Sequence, residues 1–158
     1  MTRNALAVVA FCLIPGWFSI QRAADWRTME TLAGATLKHT PDHPYALLHL
    51  ANYKHKKGDV VEAITLYEHS LRELPNNRYH WTTLGLLYQQ MKQEDKAEYA
   101  FLKQLEYHPA SSTSFLALAQ GELNKQDVRG AIDYLKQALV LFPNDKEAKR
   151  VLEELGSE

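Results

Sequence analysis

The residues best suited to chemistry in this chain are seven histidines and one cysteine. Imidazoles on one helix face, joined by a carboxylate or thiolate, would hold a transition metal. The spacing does not bring them together. His39 and His43 flank Pro41, which puts them in a connection. His49 and His55 are six apart, about 240° around a helix. His69, His80 and His108 complete the set, and no cysteine joins any of them. Cys12 alone can form neither an internal disulfide nor a thiolate set. A Gly-rich phosphate loop, a nucleophile elbow and a dinucleotide fingerprint are all missing from the sequence. The expectation is a protein that is not an enzyme, with no catalytic residue, no metal, no cofactor and no small-molecule substrate.

The elements that carry these residues follow one period. Pro41, Pro75, Pro109 and Pro143 fall 34 residues apart. Ala63, Ala97 and Ala131 repeat in the same phase, as do Tyr67, Phe101 and Leu135. Leu47, Trp81 and Phe115 make a further column, and so do Leu50, Leu84 and Leu118. A small residue follows each of the last set, at Ala51, Gly85 and Ala119. Within a repeat the apolar positions recur at helical spacing in two blocks, as in Trp81, Leu84, Tyr88 and then Ala97, Phe101, Leu105. Gly58 suits the turn between blocks, where positive φ is needed. Asp59 and Asp127 suit N-caps of the second helix, with Glu62 completing a capping-box pattern. Each proline ends one helix pair and starts the next connection. A self-similar period of this length predicts stacked helix pairs.

Trp81-x2-Leu84-Gly85-x2-Tyr88, followed by Ala97, Phe101 and Pro109, resembles the tetratricopeptide repeat family in both spacing and residue type. The flanking repeats depart from the pattern at Leu47, Lys54 and Ser70, and at Phe115 and Glu122. The resemblance implies an all-α, tetratricopeptide-type helix-pair solenoid with an N-terminal apolar helix. Its predicted parts are an apolar segment at 1–24, a degenerate half repeat at 25–43, and repeats at 44–77, 78–111 and 112–145. A capping helix and tail follow at 146–158. In the half repeat, Met29, Leu32, Ala33, Thr36 and Leu37 are expected on one inward face.

The resemblance further implies that the first helix of each repeat lines a concave protein-binding groove. By phase, that groove receives Tyr45, Leu48, His49, Asn52, His55 and Lys56 from the first repeat. Tyr79, Thr82, Thr83, Leu86, Gln89 and Gln90 follow from the second. Thr113, Leu116, Ala117, Gln120, Leu123 and Asn124 come from the third. The members singled out as binding residues are Tyr45, His49, Asn52, Lys56, Tyr79, Thr83, Leu86, Gln90, Leu116 and Gln120. Family members that grip an acidic chain terminus use a basic clamp. Here Asn52 fits one clamp position, while Leu48, Thr83, Thr113 and Ala117 occupy others. The expected cargo is a neutral, partly apolar peptide segment of a protein partner.

Charge divides the chain. It carries 18 Lys+Arg against 19 Asp+Glu, a formal net charge of -1, which argues against a basic nucleic-acid-binding domain. The first 24 residues hold Arg3 and Arg22 and no acid, and 13 of the 16 residues from Ala5 to Ile20 are apolar. Trp17 and Arg22 suit the interfacial end of a membrane anchor over residues 5–20. A basic start before an apolar run also suits a signal segment, although Arg22 spoils a cleavage after Ala24. A buried first helix is the third reading, and Pro15-Gly16 opposes it. The expectation is a membrane-tethered scaffold or assembly factor with the side of the membrane open. Its alternatives are a secreted or periplasmic adaptor, and a non-catalytic accessory subunit of a membrane enzyme or of a secretion or glycan-transfer complex. An apolar anchor leading into such a half repeat also resembles the tail of some multi-pass membrane proteins.

Overall fold

The computed structural model describes residues 30–77 and 80–156, and every regular element among them is helical. Residues 30–39 are helical (α1). They are followed by α2 (Pro44–Lys57), α3 (Val60–Glu73), α4 (His80–Gln90), α5 (Glu94–Tyr107), α6 (Ser112–Asn124), α7 (Val128–Leu141) and α8 (Lys146–Gly156). The chain forms two compact units, one ending at Leu66 and the other starting at Tyr67. The expected apolar helix at 1–24, Met29 of the half repeat and the groove residue Tyr79 lie outside the described residues. Among the described residues no helix is long and apolar enough to cross a membrane.

In the first unit, α2 begins where His43 turns its ring back and accepts the Ala46 N–H at 3.2 Å through Nδ1. Pro44 follows at the first helical position, where a missing N–H costs nothing. The helix stops at Gly58, whose φ of 87° lets its N–H return to the last-turn carbonyls. Lys54, standing where the family has a tyrosine, pairs with Glu62 at 2.8 Å and ties α2 to α3. Ala46, Leu47, Leu48, Ala51 and Ala63 are buried. In α1, Ala33 is buried, but Leu32 is 60% exposed. That corrects the expected inward face: neighbouring positions on a helix diverge by about 100°, and Ala33 takes the inner one.

In the second unit, α4 packs on α5, α5 on α6, α6 on α7 and α7 on α8. Tyr67, Phe101 and Leu135, one period apart, are all fully buried. A Cβ on Gly85 would come within 2.6 Å of the Phe101 ring, so the glycine is what allows α4 and α5 to approach. Trp81 is buried and donates its indole N–H to the Pro75 carbonyl at 2.6 Å, tying the proline turn to α4. Tyr88 of α4 donates its hydroxyl to Glu68 in the last turns of α3. Burial and that carboxylate both hold the phenol above its ordinary pKa. Asp127 accepts the Gly130 N–H at 2.9 Å and caps α7. Phe115, Ala119, Ala131, Leu135, Ala138 and Ala148 then form the last part of the core, with Val151, Leu152 and Leu155 of α8 packed against it.

Candidate functional site

The first helices of the helix pairs in the second unit are α4 and α6, and α8 stands next in phase. Their sequences place apolar residues on two opposed sides, so α4 buries one face and exposes Leu86 on the other, while Leu116 and Leu123 of α6 are half-buried. Leu84 and Leu87 of α4 are buried, while Leu86 is 47% exposed. Thr82 and Ser114 are in hydrogen-bond range at 3.2 Å, which sets the register between α4 and α6. The result is an open depression of about 310 Å³ lined by Leu86 and Gln89 of α4, by Thr113, Leu116, Ala117, Ala119, Gln120 and Leu123 of α6, by Leu135 of α7, and by Glu147 and Val151 of α8.

Of the predicted binding residues, the depression therefore gathers Leu86, Leu116 and Gln120. Gln120 donates from its amide nitrogen to Asn124 at 3.1 Å, which orients its side chain along α6. Thr83 is half-buried and Gln90 is exposed, both on α4 but outside the lining. In the first unit, Tyr45 is 55% exposed and His49 and Lys56 are exposed on α2. Asn52 is half-buried and donates to the Leu48 carbonyl at 3.0 Å, so part of its amide is engaged by its own helix. Leu48 is a correction. At 4% exposure it belongs to the core beside Leu47, and it presents nothing to a ligand.

Sequence reasoning missed Glu147 and Val151 as lining residues, because α8 was read only as a cap. The signal was one further period. Thr113 plus 34 is Glu147, and Ala117 plus 34 is Val151. By the same step Leu116 leads to Arg150, and Gln120 to Glu154. These α8 residues form a network: Arg150 meets Glu147 at 2.5 Å and Glu154 at 2.7 Å. The expected cation-poor face thus meets its charge at the last helix.

Three of the histidines hold turns or caps. His43 caps α2. His80 hydrogen-bonds the Asn77 side chain, and His108 reaches the Asn76 carbonyl at 2.8 Å. Among the described residues no cluster of His, Cys, Asp and Glu is placed to hold a metal ion. A smaller depression of about 160 Å³ lies between α5 and α6, over Phe101, Leu118 and Gly121. Lys125 closes its edge by pairing with Glu98 at 2.5 Å and Glu122 at 3.2 Å. Those carboxylates hold the ammonium above its ordinary pKa.

Comparison with known proteins agrees with the helix-pair fold. Residues 81–111 match the tetratricopeptide repeat family model. Among solved structures, a MamA AMB-1 structure superposes with a TM-score of 0.70 at 28% identity, over 87% of this chain and 75% of that one. Another MamA crystal structure gives a TM-score of 0.74 at 14% identity, over 85% and 79%. The first tetratricopeptide domain of Spaghetti (RPAP3), bound to the HSP90 peptide SRMEEVD, gives 0.63 at 21% identity, over 72% and 90%. The fold is that of tetratricopeptide repeat proteins, whose general work is protein–protein interaction.

Proposed function

We propose that this chain is a non-enzymatic scaffold that holds a neutral, partly apolar segment of a partner protein on the face built by α4, α6 and α8. One observation carries the reading. The depression exposes leucine beside glutamine amides, and neither α4 nor α6 contains a single Lys or Arg. Exposed apolar surface lined by a few hydrogen-bonding side chains is the makeup of a peptide-binding patch. The Spaghetti domain binds an acidic HSP90 peptide; α4 and α6, which carry no cation, suit other cargo. In the first unit Tyr45, His49 and Lys56 add exposed side chains on α2 for the same kind of work. We place the scaffold at a membrane through residues 5–20, as the acid-free apolar segment suggests.

Photo-crosslinking tests the face. A photoreactive residue at Gln120 captures the native partner in cells, and one at Arg129, exposed on α7, does not. Equal or stronger capture from position 129 overturns the assignment. The tether is tested separately: the full chain resists carbonate extraction from membranes and a chain starting at Asp25 does not. An N-terminus beginning beyond residue 24 in the mature protein would show cleavage instead.

A further inference from the structure

The charges on this face are arranged one-sidedly, and they define the cargo more narrowly. α4 and α6 supply no ionised group to the depression, whereas α8 supplies Glu147 at its wall. Arg150 and Glu154 flank that wall in the columns of Leu116 and Gln120, and Arg150 is shared between the two carboxylates. In these columns two carboxylates stand against one guanidinium, a net charge of -1, while Lys146, Lys149 and Glu153 lie about 100° or more around α8 from Glu147. The side chains of Glu147, Arg150 and Glu154 are more than half exposed, so the field reaches solvent instead of being spent on a buried pair.

We infer that the partner segment is apolar at its centre and basic at the end that lies over α8: a leucine-like side chain seats between Leu86, Leu116 and Val151, and a lysine or arginine follows toward Glu147 and Glu154. The inference rests on the peptide-binding reading above. Charge complementarity makes the discrimination. An acidic segment meets a carboxylate at α8 and finds no cation on α4 or α6 to offset it. Exposed charges contribute modestly to affinity but decide between partners of opposite sign.

Binding of short labelled peptides to the full chain, followed by fluorescence anisotropy, tests this. The peptides share a leucine-rich centre and carry Lys, Gln or Glu on both flanks. The expected order is Lys, then Gln, then Glu, with about a tenfold span between the extremes at low salt and a span near unity at about 1 M salt, where screening is short-ranged. Glu147→Gln with Glu154→Gln collapses the span between the Lys-flanked and Glu-flanked peptides to near unity. A Glu-flanked peptide that binds as well as the Lys-flanked one, or a Lys preference that survives the double variant, overturns the inference while leaving the peptide-binding face intact. The face itself is read from Leu86→Ala with Leu116→Ala, checked for unchanged helicity, which weakens the Gln-flanked peptide about tenfold. If that variant binds every peptide like the parent, or the parent binds none, the face is wrong and the inference falls with it.

Discussion

Gly85 has no conformational reason to be a glycine, since it sits inside α4 where alanine would gain helix propensity of about 1 kcal/mol. Its reason is spatial. The added carbon of alanine would stand 2.6 Å from the Phe101 ring, and Phe101 is itself enclosed. Overpacking of that kind costs about 1–3 kcal/mol, more than the propensity gain. Gly85→Ala is therefore expected to lower stability by up to about 2 kcal/mol in urea unfolding, and a raised midpoint would show that Phe101 moves aside freely. The 34-residue columns made this glycine legible as a small-residue position. They did not make Leu48 or Leu32 legible, because the period gives the phase of a residue on its helix but not the width of the buried face. Leu47 and Leu48 both turned inward, and Leu32 turned out. The places of the histidines were legible, but their hydrogen bonds were not. That His43, His80 and His108 would hold turns depends on ring directions that spacing does not carry.

At the scale of elements, the turns between paired helices carry the same message three times with different residues. Gly58 adopts φ 87°, and its counterparts one and two periods on, Lys92 and Gln126, are held at 57° and 67°. Side chains in this left-handed region cost about 1 kcal/mol or more, part of which glycine returns through the entropy of its unfolded chain. Lys92→Gly and Gln126→Gly are each expected to raise stability by about 0.5 kcal/mol, with their effects adding in the double variant; a loss at either site would mean that its side chain contributes contacts outweighing the strain. The start of α8 makes a second case. Asp145 accepts the hydroxyl of Ser112 and the N–H groups of Glu147 and Ala148, the latter two at 3.0 Å. The Ser112 hydrogen bond, followed by that from Ala148, lowers its pKa. A carboxylate with a lowered folded pKa lends stability above its ordinary value near 4, and this is lost as pH falls through the folded value. Asp145→Asn should then be less stable than the parent at pH 7, and the gap should close below about pH 4 in thermal melts. A gap that persists unchanged into acid would remove the charge from the account. The Asp127 cap was readable from residue type and place, whereas the Ser112 link was not, because its partners stand 33 residues apart.

At the scale of the second unit, each helix packs on the next from α4 to α8, so the last pair needs a cover. α8 provides it. Ala148 is enclosed, and Val151, Leu152 and Leu155 pack against the cluster of Phe115, Ala131 and Leu135. The same helix brings Glu147 and Val151 to the binding depression. The packing of the last pair and the proposed binding face thus meet at one end of the second unit, a meeting that reading α8 only as a cap missed. The fold class was legible because a period survives substitution at single positions. The face was legible in part, since its depth and its boundary at α8 depend on how three helices lean together. Removing residues 146–158 exposes the cluster and strips about 3–5 kcal/mol of apolar burial, by the usual worth of three half-buried aliphatic side chains and an alanine. Calorimetry should then show the transition that reports the second unit falling by about 10 °C or more, with new dye binding to exposed apolar surface. A cap that is only polar covering predicts instead an unchanged transition and greater aggregation alone. Leu152→Ala separates the two roles further, because it weakens the packing of α8 while leaving Glu147, Arg150 and Val151 in place. Its melting point should drop by a few degrees, and the truncated chain should lose the charge preference of the face that Leu152→Ala retains.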